Sequence, residues 1–129
     1  MDIPYLKEVR ITNCDCEGKR SPANGHFFII LSKHGYNVKS NYVLGVPLTS
    51  AKKNYFVLNY GINITNDDVE GNVSPFIKQT FVYCDRICRI SKEDIIIGQE
   101  EIRVTGNKWE EMLSNLIAFL KEGRIDKKY

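Results

Sequence analysis

The run His26-Phe-Phe-Ile-Ile-Leu31 decides the fold class of this chain. Its residues favour β structure, and a run of this length is too short for a helix, so it predicts a buried strand. The next apolar run, Tyr42-Val-Leu-Gly-Val46, predicts a second strand that is closed by Pro47. Between the two, residues 32–41 predict a loop rich in Gly, Asn and Lys.

Short β segments separated by turn residues cover the first two thirds of the chain. Further strands are predicted at residues 6–12, 55–58, 79–84 and, after a break, 87–90. Residues 15–25 and 61–74 predict polar loops.

The C-terminal third changes to a helical period. Apolar residues recur there with the spacing of one helix face: Trp109, Met112, Leu113, Leu116, Ile117 and Leu120. Asn107 is the predicted N-cap, with Glu110 three residues on, and Gly123 is the predicted stop. The pattern therefore predicts a helix over residues 107–122 whose apolar stripe lies in the core.

Five or six short strands and one terminal helix predict a mainly β domain with a C-terminal helix (α+β), a small bent sheet or barrel closed by the helix. The 129 residues form one such domain, 1–129, and are too few for two ordinary cores. The chain is 43% hydrophobic and 26% charged, which is a globular composition. No apolar run approaches the roughly 20 residues of a membrane span, and the N-terminus carries charges where a signal peptide is apolar. We therefore expect a cytoplasmic protein that does not enter a membrane.

Charge is segregated along the sequence. The whole chain carries +2, from 18 basic and 16 acidic residues, but residues 18–66 contain no Asp or Glu. That segment is +6, from Lys19, Arg20, Lys33, Lys39, Lys52 and Lys53. The remainder is −4. Such asymmetry favours a polyanionic partner, although exposed lysines commonly form only a solvated face.

Four cysteines form two close pairs, Cys14 with Cys16 and Cys84 with Cys88. Two such pairs are enough for a tetrahedral zinc site, yet neither pair has the two-residue gap of the common zinc knuckles. Since the cytosol keeps thiols reduced, we expect ordinary thiols. The sequence predicts neither a metal nor a cofactor.

Polar residues at strand ends are the candidates for chemistry. In Val46-Pro-Leu-Thr-Ser-Ala-Lys-Lys53, two hydroxyl groups are followed by two ammonium groups. Such donors suit phosphate oxygens, and the +6 segment would attract an RNA backbone. The alternative is a strand-terminal turn in which Thr49 and Ser50 bond their own backbone.

Three strand motifs, in order, resemble those of PemK/MazF-type toxin endoribonucleases of the MazF/Kid/CcdB superfamily. Gly25-His-Phe-Phe-Ile-Ile-Leu-Ser32 is similar to that family's second strand, which has a Gly, Arg-Pro, an aliphatic run and Ser. Val43-Leu-Gly-Val-Pro-Leu-Thr-Ser50 resembles its VVxVPITS strand. Phe81-Val-Tyr-Cys-Asp-Arg-Ile-Cys-Arg-Ile90 resembles its VxCDQxRTID strand. Pro47-Leu-Thr-Ser-Ala-Lys-Lys53 is also similar to the PLTSPKK stretch of ToxN-type RNases.

The resemblance implies an SH3-like barrel, a homodimer, an antitoxin partner and metal-independent cleavage of single-stranded RNA (an mRNA interferase). The 2′-hydroxyl would attack the adjacent phosphate, which requires a base, an acid and cations for the phosphate oxygens. Thr49 matches the family's active-site threonine, with Ser50 beside it, and Asp85 matches the acidic residue of the Kid/PemK branch. The family arginine falls on His26, so His26 and Asp85 are the acid and base candidates.

RNA binding is assigned to six basic residues: Lys19, Arg20, Lys52, Lys53, Arg86 and Arg89. Histidine is a poorer permanent cation than arginine, so Lys52, Arg86 or Arg89 would supply the charge lost at His26. The family's N-terminal G-(D/E)-(I/V)-(Y/W) pattern has no clear counterpart in residues 6–12.

Two other functions stay open at this stage. A catalytically inactive barrel would bind RNA or a protein partner and would show salt-dependent RNA affinity without cleavage. A CcdB-like inhibitor of DNA gyrase would act through the C-terminal helix and leave RNA intact. The +6 segment favours RNA over gyrase.

Overall fold

The computed structural model describes residues 2–16, 18–19, 25–50, 61–71, 74–76, 79–99 and 101–121. Its elements are β1 Val9–Thr12, β2 His26–Ile30, α1 His34–Lys39, β3 Tyr42–Ser50, β4 Gly61–Ile64, β5 Val69–Glu70, β6 Thr80–Tyr83, β7 Cys88–Ser91, β8 Arg103–Val104 and α2 Gly106–Lys121. Short 3-10 turns lie at Asn66–Asp68 and Lys92–Asp94. The predicted α+β class, mostly β with a C-terminal helix, is confirmed. Among the described residues, no helix has both the length and the apolar character needed to cross a bilayer.

β3 is the central strand of the larger sheet. It pairs with β2 through its middle, with β7 through its first half and with β6 through its end, always antiparallel. β1 and β4 extend the sheet outside β2 and β6, giving the order β1-β2-β3-β6-β4. Within the described residues this path is open, so it does not complete the closed barrel that was expected. The strand predicted at residues 55–58 lies outside the described residues.

Pro47 lies at a break in the pairing of β3 with β7 and β6, while on the other flank it still pairs with Phe28 of β2. Gly45 is the last residue to pair with β7, and Leu48 is the first to pair with β6. Proline has no N–H to donate to a ladder, so an interior proline marks a break or bulge in pairing. The prediction that Pro47 closes the strand is wrong, because β3 continues to Ser50. The break instead leaves residues 84–87 as a turn between β6 and β7.

The core occupies both faces of the sheet. On one face, Ile29 of β2 belongs to a buried cluster that includes Trp109 and Met112 of α2. On the other face, Phe28 and Ile30 join a second cluster with β3 and β7. Successive residues of a strand point to opposite faces, so β2 is buried on both sides, as its continuous apolar run predicts.

α2 begins one residue before the predicted cap. Thr105 Oγ1 accepts a hydrogen bond from the Lys108 N–H at 3.3 Å, so Thr105 caps the helix and Asn107 lies inside it. The predicted stop, Gly123, lies outside the described residues.

The apolar stripe of α2 is only partly buried. Trp109, Met112 and Leu116 are buried, as predicted. Ile117 and Leu120 are 47% and 61% exposed, so their predicted place in the core is wrong. The stripe therefore leaves the core in the last turns of the helix.

α1 lies in the segment 32–41 that was predicted to be a loop. Its anchor is Asn37, whose buried amide donates hydrogen bonds to the carbonyls of Pro4 and Ser32 at 3.0 Å each. Lys92 Nζ donates to the carbonyl of Asn37 at 2.9 Å. A helix held by a polar network has no apolar periodicity, so residues 34–39 carry no helical pattern in the sequence.

β4 lies in the segment 61–74 that was also predicted to be a loop. Ile62 and Ile64 are buried and Asn63 between them is exposed, which is the alternation of a strand. Thr65 ends the strand and forms a capping box with Asp68, whose carboxylate accepts the Thr65 N–H at 2.8 Å. Because polar residues surround this short alternation, the sequence pattern predicts a loop there instead of a strand.

Candidate active site

His26 and Thr49 occupy the same level of neighbouring strands. The last pair of the β2–β3 ladder is Phe28 with Pro47, and His26 and Thr49 each lie two residues beyond it, at the same end. At that end β2 continues to pair with β1, and β3 pairs with β6. Both side chains are half-buried. Two of the predicted catalytic residues are therefore brought to one edge of the ladder.

Four other predicted site residues fall partly or wholly outside the described residues. The backbone of Ser50 pairs with Thr80 at the end of β3, and its side chain is not part of the description. Arg20, Lys52 and Lys53 lie outside the described residues altogether.

Asp85 lies on the other flank of β3, in the turn between β6 and β7. It is level with Val46 and Pro47, the two β3 residues between the β7 and β6 ladders. Its side chain is half-buried, and its Oδ1 is buried without a hydrogen-bond partner among the described residues. Buried carboxylate oxygens are normally bonded, and a catalytic role is one accepted reason for an exception.

The thiol of Cys84, next to Asp85, holds its proton. Burial, followed by the negative charges of Asp85 and Glu111, raises the pKa of Cys84 from 9.0 to about 12, against a lowering effect of Lys108. The thiolate is the nucleophilic form of cysteine. Cys84 is therefore a protonated, buried thiol at neutral pH and not a nucleophile.

Two arginines that follow Asp85 in the chain stack on tyrosines. The Arg86 guanidinium lies 4.6 Å from the ring centroid of Tyr83, and the Arg89 guanidinium lies 4.3 Å from that of Tyr42. Both arginines are exposed. Stacking orients a guanidinium while leaving its N–H groups free to bind phosphate oxygens. The two tyrosines are residues that the sequence reasoning missed.

A disulfide joins the loop after β1 to β7. Cys16 and Cys88 are 72 residues apart in sequence, and their Cα atoms are 5.2 Å apart. Lys19 follows Cys16 by three residues and is exposed, while Arg89 follows Cys88 directly. The bond therefore brings two predicted RNA-binding residues that are distant in sequence to the same region.

The expectation of four reduced thiols is wrong for this pair. Cys16 packs against the buried cluster that contains Cys88, so each sulfur meets a partner from the other sequence pair. Cys14 and Cys84 are not part of this disulfide. The four-cysteine zinc alternative does not hold, and the described residues contain no group of His, Cys, Asp or Glu arranged to hold a metal ion.

Comparison with known proteins places the chain in a family. Residues 7–120 match the family described as PemK-like, MazF-like toxin of type II toxin-antitoxin system. The chain belongs to this family. No curated protein sequence matches it.

Solved structures with a similar fold come from the same kind of toxin. An endoribonuclease in complex with its cognate antitoxin, from a mycobacterial species, is similar over 94% of this chain and 96% of its own, with a TM-score of 0.57 and 17% identity. A mycobacterial endoribonuclease is similar over 94% of both chains, with a TM-score of 0.57 and 18% identity. Mycobacterium tuberculosis toxin MazF-mt6 is similar over 84% of this chain and 91% of its own, with a TM-score of 0.57 and 13% identity. At these identities the likeness shows a shared fold.

The family match begins where the backbone has an unusual conformation. Lys7 has φ of 74°, in the left-handed region that glycine favours. An acidic residue, Glu8, and an aliphatic one, Val9, follow it. The sequence pattern does not predict this conformation, because a lysine rarely adopts it.

Proposed function

We propose that this chain is a metal-independent endoribonuclease that cleaves single-stranded RNA as the toxin of a toxin-antitoxin pair. Membership of the PemK/MazF family supports the proposal, as do similar folds that are named endoribonucleases. The observation that carries it is the β6–β7 turn. There the Asp85 carboxylate has an Oδ1 without a hydrogen-bond partner among the described residues, and the exposed Arg86 follows it directly in the chain. Arg89, in β7, is exposed as well, and both guanidinium groups stack on tyrosines.

The reaction we propose is attack of the 2′-hydroxyl on the adjacent phosphate. It forms a bond from the 2′-oxygen to phosphorus, breaks the bond to the 5′-oxygen, and leaves a 2′,3′-cyclic phosphate and a 5′-hydroxyl. A base must take the proton of the 2′-hydroxyl, and an acid must protonate the leaving 5′-oxygen. Asp85 is the proposed base because a carboxylate accepts a proton, and His26 is the proposed acid because a protonated imidazole has an N–H that it donates to the leaving oxygen.

The remaining site residues are proposed to bind the substrate. Thr49 and Ser50 would donate hydrogen bonds to phosphate oxygens, and Arg86 would stabilise the charge that gathers on the equatorial oxygens. The RNA backbone would follow five further cations: Lys19, Arg20, Lys52, Lys53 and Arg89. The +6 charge of residues 18–66 supports this route.

The partners we propose are an antitoxin and a second copy of the chain, in the cytoplasm. One structure of similar fold is an endoribonuclease with its cognate antitoxin. The exposed Ile117 and Leu120 of α2 offer apolar surface for a protein partner. They also keep the CcdB-like alternative open, which a gyrase supercoiling assay tests: inhibition with intact RNA would favour that alternative.

A fluorescent single-stranded RNA assay tests the proposal. We expect the wild type to cleave without added metal, and Thr49→Ala and Asp85→Asn to lose at least 10²-fold in rate, the usual contribution of an acid-base group. Glu93→Gln, an exposed acid in the turn after β7, is the matched control and keeps the wild-type rate. No cleavage by the wild type, or equal rates in Asp85→Asn and the wild type, would overturn the catalytic assignment.

A further inference from the structure

The disulfide between Cys16 and Cys88 connects a loop to the sheet at one flank of the proposed RNA surface. Disulfides are rare in the cytosol, and those that occur there are usually transient and redox-sensing. We propose that Cys16 and Cys88 form a reversible redox site, at which reduction by a dithiol releases the loop of residues 13–19 from β7 and lowers the affinity for RNA. The effect on RNA rests on the proposed function, whereas the release of the loop does not.

The loop that carries Cys16 is closed by its own hydrogen bonds. The Asp15 N–H donates to the Lys19 carbonyl at 2.9 Å, and the Lys19 N–H donates to Asp15 Oδ1 at 2.8 Å. The Gly18 N–H donates to the Asp15 carbonyl at 3.0 Å. These bonds fix the shape of the turn and not its position on the sheet. Because Cys16 lies inside the turn, the disulfide attaches the whole turn to β7, and Lys19 is held with it.

The backbone holds the two ends of the disulfide differently. Cys88 pairs with Gly45 of β3 in the β7 ladder and is 2% exposed. Cys16 is half-buried and lies in the loop that follows β1. That loop is anchored to the sheet at its start, where the Asn13 N–H donates to the Asp94 carbonyl at 2.8 Å. Opening the disulfide therefore frees the loop beyond this anchor and leaves β7 in place.

A thiol at Cys88 fits the interior that surrounds it. Cys88 lies in a buried cluster of apolar residues: Phe28, Ile30, Val43, Ile90 and Ile95. A free cysteine behaves there as a small hydrophobic residue, and a thiol in apolar surroundings keeps its proton. No charge is buried when the disulfide opens, so we expect the reduced protein to stay folded.

Reduction is a thiol–disulfide exchange in two steps. One thiolate of the dithiol attacks the sulfur of the half-buried Cys16, the bond to the Cys88 sulfur breaks, and Cys88 leaves as a thiolate that takes up a proton. The second thiolate of the reductant then attacks the reductant's own sulfur in the mixed disulfide, and Cys16 leaves and is protonated. The protein gains two electrons and two protons, and the reductant is oxidised to its internal disulfide.

Lys19 is the cation whose position depends on the disulfide. It is exposed, as is Arg89, which follows Cys88 directly. The intact bond keeps both cations in one region, and reduction removes that constraint from Lys19. The loss of one fixed phosphate contact should weaken single-stranded RNA binding by a few-fold and lower the slope of log affinity against log salt by about 0.7.

The first measurement compares oxidised wild type with wild type reduced by dithiothreitol. Iodoacetamide labelling after denaturation should count two more thiols in the reduced protein, and far-UV circular dichroism should be the same in both forms. Amide hydrogen exchange in residues 13–19, followed by mass spectrometry, should be about tenfold faster after reduction. A disulfide that dithiothreitol does not open in the folded protein, or equal exchange in the two forms, would overturn the proposal.

The second measurement is the affinity for fluorescent 2′-O-methyl single-stranded RNA, which has no free hydroxyl for attack. Cys16→Ser should bind like the reduced wild type with or without dithiothreitol, and Cys14→Ala should respond to the reductant like the wild type. If Cys16→Ser fails to fold, Cys88→Ala takes its place. Equal RNA affinity in the oxidised and reduced wild type would overturn the control of RNA binding.

A cleavage assay on both redox forms separates this inference from the proposed function. Equal cleavage rates and equal RNA affinities in the two forms would overturn the redox site and leave the endoribonuclease intact. Faster loop exchange and weaker RNA binding after reduction, with no cleavage by either form, would overturn the endoribonuclease and support the redox site.

Discussion

Arginine and carboxylate meet in two regions of this protein, with opposite consequences. Beside Glu8 and β1, Arg10 is 4% exposed and its guanidinium lies between Asp2 and Glu8. In the β6–β7 turn and in β7, Arg86 and Arg89 are exposed and stack on tyrosine rings. In the first arrangement the guanidinium is paired with carboxylates inside the protein. In the second the guanidinium is exposed, where a ligand can reach it. Burial and pairing, more than residue type, therefore decide which arginine is able to bind phosphate.

The largest effect should follow from removing the buried arginine. Arg10→Ala leaves Glu8 as an unpaired buried charge, which costs about 3–5 kcal/mol of unfolding free energy. Arg89→Ala, the matched change in the exposed region, should cost less than about 0.5 kcal/mol. Urea unfolding of both variants measures the difference. Equal losses of unfolding free energy in the two variants would contradict this comparison, because they would mean that the buried ion pairs of Arg10 stabilise the fold no more than an exposed arginine does.

The disulfide should have the next largest effect, because it holds one flank of the proposed RNA surface in place. Cys16 and Cys88 close a loop of 72 residues, so Cys88→Ala should lower the unfolding free energy by about 2–4 kcal/mol. Dithiothreitol should lower the unfolding free energy of the wild type by a similar amount and should leave that of Cys88→Ala unchanged. Cys14→Ala, which leaves the disulfide intact, is the control. A wild type whose stability does not respond to the reductant would contradict the account.

A smaller, pH-dependent effect reports on the interior beneath the β6–β7 turn. The pKa of Cys84 rises from 9.0 to about 12 in the folded protein. Above pH 9 the unfolded chain loses this proton and the folded protein keeps it, so the stability that Cys84 contributes is present below pH 9 and is lost as the pH rises toward 12. The expected loss is about 1 kcal/mol between pH 9 and pH 10.

Unfolding midpoints at pH 8.5, 9.5 and 10 measure this loss. Cys84→Ala removes the Cys84 contribution to the pH slope, whatever its stability at lower pH, and Cys14→Ala retains it. Identical slopes in the wild type and in Cys84→Ala would show that the thiol is not buried beside Asp85.

The smallest effect concerns the exposed arginine itself. Arg89→Gln should weaken single-stranded RNA binding by a few-fold and lower the slope of log affinity against log salt by about 0.7, the value for one phosphate contact. Lys121→Gln, at the exposed end of α2, is the control cation. An unchanged salt slope in Arg89→Gln would remove Arg89 from the RNA surface.

The sequence predicted those parts whose signals are local and periodic. β2 follows from its unbroken apolar run, and the buried half of α2 follows from Trp109, Met112 and Leu116. Both patterns arise because the buried faces of a helix or strand carry apolar residues, so burial is visible in the order of residue types along the sequence.

The parts that the sequence did not predict depend on contacts between distant residues. α1 is anchored by Asn37 on Pro4, 33 residues away, and Cys16 bonds to Cys88 across 72 residues. The left-handed conformation of Lys7 is a property of the backbone, and a lysine side chain does not predict it. The same holds for the site: motif order proposed His26, Thr49 and Asp85, but the tyrosines beneath Arg86 and Arg89 become neighbours only through folding.

Mapping the ends of RNA fragments tests the central proposal most directly. A mixed pool of single-stranded RNA is incubated in EDTA with the wild type, Asp85→Asn or Glu93→Gln, and the 3′ ends are analysed by mass spectrometry. The account predicts 2′,3′-cyclic phosphate ends with the wild type and Glu93→Gln, and intact RNA with Asp85→Asn. Intact RNA with the wild type, 3′-hydroxyl ends, or undiminished cleavage by Asp85→Asn would contradict it.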